Sequence, residues 1–189
     1  MRPNKKDELV EKALEVFYRN GFHATGMDLL VRETGVSKTS MYKHFRTKEE
    51  LILAALQLRD LRFRGWYTAR VAALATTPQD QLLVMFDALG EWFREDGFCG
   101  CMFVKASAEF QHPDHVIHKQ AAAHKHLLLD YVTGLARSAG YPDPETLARQ
   151  LLLLKEGAIT AAVMGDSADP AGDAKAAAAT LLAAARAVA

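Results

Sequence analysis

Cysteine, proline and long apolar runs are all scarce in this chain, and each scarcity excludes a class of protein. The 189 residues include two cysteines, Cys99 and Cys101. Two are too few for a disulfide-stapled secreted scaffold. No run approaches the roughly 18 uncharged apolar residues of a membrane-spanning helix. The tract Ala176 to Ala185 is rich only in alanine. The first residues carry positive charge with no apolar stretch behind them, so no secretory leader is expected and the chain reads as cytoplasmic. The six prolines (Pro3, Pro78, Pro113, Pro142, Pro144, Pro170) all fall at breaks. No segment alternates apolar and polar residues over strand length, and no repeat recurs at a solenoid period. No nucleophile–base motif or phosphate-binding glycine loop is present, so neither an enzyme nor a cofactor is expected.

What remains is a folded, helix-forming chain. Hydrophobic residues make up 50% and charged residues 24%, ordinary values for a packed domain. The net charge of zero conceals an asymmetry, with residues 1–70 carrying a net +5 and residues 71–189 a net −5. A basic front half suits contact with a polyanion. Between the prolines the chain is rich in Ala, Leu, Glu, Lys, Arg and Gln, the good helix formers.

Nine helices are expected, an all-α fold. The first spans about Asn4 to Asn20, with Leu9, Ala13 and Phe17 on one stripe and Gly21 as its stop. A short second covers Met27 to Thr34, and Gly35-Val36 turns the chain. Ser37 caps a short third, which runs to His44. Thr47-Lys48-Glu49-Glu50 reads as a capping box opening a long fourth into the sixties or early seventies. Thr77-Pro78 opens a fifth, ending near Asp96-Gly97. A sixth covers about Cys101 to Phe110, a seventh Pro113 to about Ser138, and an eighth Asp143-Pro144 to Gly165. The ninth runs from Pro170 to the end.

Helices two and three make a helix-turn-helix pattern. Such a third helix must bury one face on its neighbours and offer the other to a DNA major groove. At about 100° per residue, Ser37, Ser40 and Met41 point one way and Lys38, Thr39, Tyr42 and Lys43 the other. The second face is small, polar and basic, suited to base edges and phosphates and poor for packing.

The stretch from Gly21 to Thr25, together with Gly35-Val36-Ser37, Tyr42-Lys43-His44-Phe45 and Lys48-Glu49-Glu50-Leu51, resembles the DNA-binding domain of TetR-type (TetR/AcrR) transcriptional regulators. The resemblance covers about 50 residues. It departs from the family at Gly26, where threonine is common, at Val31, where alanine is, and at Thr39, where a smaller residue is. It implies that Lys38, Thr39 and Tyr42 probe bases or the adjacent backbone, that His44 and Lys48 hold phosphates, that Gly35 makes the turn and that Phe45 anchors the core. The candidate DNA-binding set is therefore Thr25, Ser37, Lys38, Thr39, Tyr42, Lys43, His44 and Lys48. Residues 1–48 would form the helix-turn-helix domain. Residues 49–189 would form a ligand-binding and dimerisation domain, making a homodimeric repressor released from operator DNA by a mainly apolar small molecule.

The remaining features are read beside plainer alternatives. Helix seven carries Ile117, Ala121, His124, Leu128, Tyr131 and Leu135 on one stripe. His124 is either a core histidine with a partner such as Glu109 or Glu156, or a polar contact in a ligand pocket. The candidate ligand-binding set is Trp66, Phe86, Trp92, Phe103, His124 and Tyr131. Cys99 and Cys101, with His112, His115 and His118 nearby, raise a metal- or thiol-sensing alternative, although Cys-x-Cys is not a usual zinc spacing and no metal ligand is assigned. Helices eight and nine carry small residues on the stripes Leu147, Leu151, Leu154, Ala158, Ala161, Gly165 and Ala178, Leu181, Ala185, Val188. The candidate dimer interface is Leu151, Leu154, Ala158, Ala161, Leu181 and Ala185.

Overall fold

The computed structural model describes residues 4–187, which hold nine helices and no strand. They are α1 (Lys5–Asn20), α2 (Met27–Thr34), α3 (Lys38–His44), α4 (Lys48–Leu74), α5 (Pro78–Phe93), α6 (Met102–Glu109), α7 (Val116–Ser138), α8 (Pro144–Met164) and α9 (Pro170–Ala187). The fold is all-α, as expected. Most boundaries follow local chemistry. Asn4 caps α1 by accepting from the Lys6 amide at 3.2 Å, and Thr77 and Asp143 cap α5 and α8, each followed by a proline in the first turn.

Two boundaries differ from the expectation. α5 ends at Phe93, because the amides of Arg94 and Glu95 bond three residues back, to Glu91 and Trp92, and the last turn tightens out of the α form. α7 starts at Val116 rather than Pro113, because Pro113 is spent in a turn. The His115 amide bonds the His112 carbonyl at 2.9 Å, and the His112 ring accepts from the Asp114 amide. The expected run of α9 to the last residue reaches 188–189, outside the described residues.

Of the described residues, 4–63 pack with Cys101–His124 as one unit, and Arg64–Gly100 with 125–187 as a second. α4 and α7 thus contribute to both. This grouping differs from a division after residue 48, since the first half of α4, all of α6 and the start of α7 accompany the helix-turn-helix.

In the first unit the α1 stripe Leu9, Ala13 and Phe17 is fully buried with Leu30, Met41, Leu51, Ile52 and Leu56. Phe22 links the layers, its ring 5.7 Å from Phe17 and 6.0 Å from Phe110. Each of the leucine, isoleucine, methionine and phenylalanine side chains contributes roughly 1.5–3 kcal/mol by leaving water.

In the second unit α9 packs on α5 and α8. Gly90 allows that approach, since a Cβ there would stand 3.2 Å from that of Ala171. Ion pairs join Arg70 to Glu91 and Lys175 to Asp87. Buried Tyr67 donates its hydroxyl to the Met85 carbonyl at 3.1 Å. Burial, then the nearby Tyr131 and Glu156, push its ionisation well above the ordinary tyrosine value. Lys155 interrupts the apolar core of α8, being almost fully buried, with its ammonium 3.0 Å from Glu156 Oε1; Glu156 Oε2 takes Lys125 at 2.7 Å. Burial pushes the Glu156 carboxyl up, but the Lys155 and Lys125 charges outweigh it and hold the group below its ordinary value.

Candidate nucleic-acid interface

The interface is built on a short-range frame. α2 ends at Gly35, whose left-handed φ of 69° returns its amide to the Val31 carbonyl. A residue with a Cβ is strained there. Thr34, buried, accepts from the Val36 amide at 3.2 Å and donates to Leu30, fixing the turn from inside. Ser37 then caps α3 by accepting from the Ser40 amide at 3.3 Å.

α3 inserts Met41 and, just past its end, Phe45 into the core. The opposite side is open. Lys38, Thr39 and Lys43 are exposed, and Tyr42 retains 46% of its surface. Two ammonium groups, a hydroxyl and a phenol thus share one face of a helix narrow enough for a major groove. Ser37 is exposed as the cap rather than turned inward with Met41, and Ser40 and His44 are half-buried. Arg46 adds an exposed cation beyond α3. The α4 capping box forms in a variant way, with Thr47 accepting from the Glu50 amide at 3.1 Å while Glu50 accepts from the Arg46 amide at 2.7 Å.

Two of the expected DNA-contacting residues are placed differently. Thr25 is fully buried, and its hydroxyl donates to the Gly21 carbonyl at 2.6 Å. Its side chain closes the α1–α2 turn and does not reach outward to a phosphate. Lys48 points its ammonium inward, donating to the carbonyls of Phe22 at 3.0 Å and Thr25 at 3.2 Å. In this structure it clamps the turn.

Sequence reasoning missed the other half of that clamp. The Glu109 carboxylate, from the last residue of α6, accepts from the amides of Phe22 and His23, and Lys105 donates to the Tyr18 carbonyl at 3.2 Å. No local signal marks these residues, since 87 positions separate Glu109 from Phe22. His124 finds neither Glu109 nor Glu156. Its Nδ1 donates to Asp60 Oδ1 at 2.6 Å, and its ring stacks on Phe103 at 3.6 Å. His124 and Phe103 lie in the first unit, whereas Trp66, Phe86, Trp92 and Tyr131 lie in the second. Phe86, Trp92 and Phe103 are buried; Trp66 and Tyr131 are half-buried.

The α8 and α9 stripes are split between inside and outside. Leu147, Leu151, Ala158 and Ala178 are buried within the chain, so Leu151 and Ala158 are not available to a partner's surface. Leu154, Ala161, Leu181 and Ala185 are half-buried. The outer faces are instead Leu153, Gly157, Thr160 and Met164 on α8 and Ala176, Ala177, Thr180, Ala183 and Ala184 on α9. Val188 lies outside the described residues.

Cys99 and Cys101 are half-buried and not in a disulfide. Among the described residues no group of three or more His, Cys, Asp or Glu is placed to hold a metal ion. His118 donates to the Phe110 carbonyl at 2.8 Å, and His115 stacks on Phe110 and pairs with Glu49 at 3.6 Å. No described helix is long and apolar enough to cross a membrane.

Comparison with known proteins agrees with this geometry. Residues 9–55 match the family described as bacterial regulatory proteins, tetR family. Over 156 residues, 82% of each chain, the sequence is 22% identical to the HTH-type transcriptional regulator YjdC of Escherichia coli. The solved structure of a TetR-family transcriptional regulator from Streptomyces coelicolor superposes with a TM-score of 0.88 at 29% identity, covering 95% of both chains. A structure described as a TetR transcriptional regulator from Streptomyces avermitilis gives 0.84 at 30% identity, covering 97% of this chain and 99% of that one.

Proposed function

This chain belongs to the TetR family of DNA-binding transcriptional regulators, and on that premise we propose that it is a homodimeric repressor released from its operator by a small molecule. Proteins of this family are not enzymes. The observation that carries the reading is the open face of α3, where Lys38, Thr39, Tyr42 and Lys43 stand outward while Met41 and Phe45 hold the helix to the core. Residues 1–48 supply the operator contacts, and residues 49–189 take the inducer and form the dimer. Thr39 and Tyr42 read base edges. Lys38, Lys43 and the exposed Arg46 meet phosphates, with Ser37 and His44 at the margins of the same surface. The duplex places its work in the cytoplasm.

The dimer contact proposed is the outer surface of α8 and α9. Leu153 keeps 72% of its surface and Met164 69%, beside a run of alanines that lets helices approach closely. Pairing two chains doubles the recognition helices, which a two-half-site operator requires at roughly 34 Å spacing. The inducer is read as mainly apolar, taken within the second unit among Trp66, Phe86, Trp92 and Tyr131. It acts by favouring a dimer whose α3 pair no longer fits both half-sites.

The test is duplex binding titrated with salt. Counterion release predicts a linear fall of log affinity with log salt, and Lys43→Ala should reduce that slope by about 0.9 for its one phosphate. A purified protein that binds duplex DNA with no salt dependence, or not at all, overturns the reading.

A further inference from the structure

Three charged side chains hold the backbone between α1 and α2. Glu109 accepts from the Phe22 amide through both oxygens, at 3.0 Å (Oε1) and 3.1 Å (Oε2), and from the His23 amide at 2.5 Å through Oε2. The same Oε2 lies 3.1 Å from His23 Nδ1. Oε1 sits so close to Gly21 that a Cβ there would come within 2.9 Å of it. One turn earlier on α6, Lys105 donates to the Tyr18 carbonyl in the last turn of α1, where the helix dipole favours a cation. From α4, Lys48 takes the carbonyls of Phe22 and Thr25. Donors of the turn therefore go to α6, and acceptors to α4 and α6. α2 begins directly after this segment, at Met27, and its N-cap Gly26 supplies no side-chain cap.

We propose that Glu109 is a positioning residue for DNA binding: from α6 it sets the α1–α2 turn, and through that turn the direction in which α2 and the reading helix α3 leave the core. The proposal rests on the reading of α3 as the DNA-contacting helix. Charge-assisted bonds to backbone amides are short and directional, and roughly twice as strong as those a neutral side chain of the same length makes. In glutamine the one oxygen, standing where Oε2 does, still reaches both amides, but the charge is gone and the amide nitrogen, a donor, replaces the second acceptor beside the Phe22 N–H. Alanine loses both. Aspartate in place of Glu109 is one methylene shorter and cannot span both amides from the same helix position. α6 is itself held by the stack of Phe103 on His124. The DNA-reading surface is thus tied to a residue more than 60 positions after α3 ends.

The experiment compares wild type, Glu109→Gln, Glu109→Ala and a control, Lys175→Met. The control breaks the ion pair with Asp87 in the second unit and leaves the clamp untouched. Each full-length protein is titrated against the duplex that wild type selects from a random pool, at a temperature where circular dichroism shows all variants folded. Amide exchange at residues 22 and 23 is read in parallel. The expected result is a graded loss of affinity, about tenfold for alanine and less for glutamine. The selected sequence should be unchanged, and exchange should be faster at both amides. Lys175→Met should keep wild-type affinity at a comparable melting shift. Affinity within twofold of wild type in both Glu109 variants overturns the proposal. So does a loss matched by the control. If glutamate-to-alanine does not fold, the glutamine variant alone decides it. Should wild type itself select no duplex, the DNA-reading assignment fails instead.

Discussion

Replacing His124 with leucine tests the buried core of the first unit. On the α7 stripe leucine looks the better residue, being apolar and close in size. The structure reverses that expectation. His124 retains 1% of its surface and Asp60 7%, and the imidazole Nδ1 is 2.6 Å from the carboxylate. The ring also lies parallel to Phe103, at 10° and 3.6 Å. Leucine therefore takes a charge-assisted hydrogen bond from a carboxylate that water hardly reaches. Stranding a buried carboxylate by removing its hydrogen-bond partner costs roughly 3–5 kcal/mol. Leucine's own burial returns about 1.5–3 kcal/mol. The net expectation is a loss centred near 2 kcal/mol, within a range of about 0–3.5, at roughly 2–4 °C per kcal/mol for a chain of this size. The assay is thermal and urea unfolding of His124→Leu, Asp60→Leu and the double variant. The double variant should recover much of the sum, because the stranded partner is gone. A single His124→Leu variant as stable as wild type, or more so, would show that the pair is dispensable and refute the reasoning.

Other outcomes follow from the same geometry. Glu156 ionises below the ordinary glutamate value of 4.5, so its contribution to stability is complete above that pH and is lost as pH falls through the depressed value. Glu156→Gln should lower the unfolding free energy at neutral pH and flatten the acid limb of the stability curve. Tyr67 titrates well above 10, so the stability it confers declines once pH rises past 10, and Tyr67→Phe should remove that decline. Gly26→Ser should stabilise α2 by roughly half to 1 kcal/mol in chemical denaturation, because the backbone there is extended, space is open and the cap position lacks a side-chain acceptor. A Cβ at exposed Gly157 meets nothing within 4 Å, so Gly157→Arg should leave circular dichroism intact while light scattering reports monomer; a dimer that persists would move the interface elsewhere.

Much of the fold was legible because helix boundaries are local. Ser37, Thr47, Thr77-Pro78 and Asp143-Pro144 each announce a start within four residues, and Gly35 a stop. The open face of α3 was also legible, since helical periodicity and one buried methionine determine it. Partnerships across the chain were not. Asp60 bonds a histidine 64 positions away, and Glu109 reaches amides 87 and 86 positions back. Thr25 and Lys48 looked like surface polar groups because sequence does not tell whether a turn's backbone is satisfied by water or by a side chain. On α8 the periodicity identified a stripe, but a stripe does not name its cover. Leu151 and Ala158 are covered by the chain itself, and the free surface is the complementary run through Leu153 and Gly157. Lys155 sits four residues after Leu151 on that inner stripe, and this spacing could have marked it as buried.

The most direct test of the central claim is selection from a random duplex library by the purified full-length protein, run beside Thr39→Ala and Tyr42→Ala. The account predicts that wild type enriches one two-fold-symmetric site, and that each variant alters the preferred base at symmetric positions in both half-sites, with a penalty of roughly 1–3 kcal/mol for the lost contact. Enrichment of no sequence by wild type, or an identical preference in all three proteins, would contradict the claim that the outer face of α3 reads DNA.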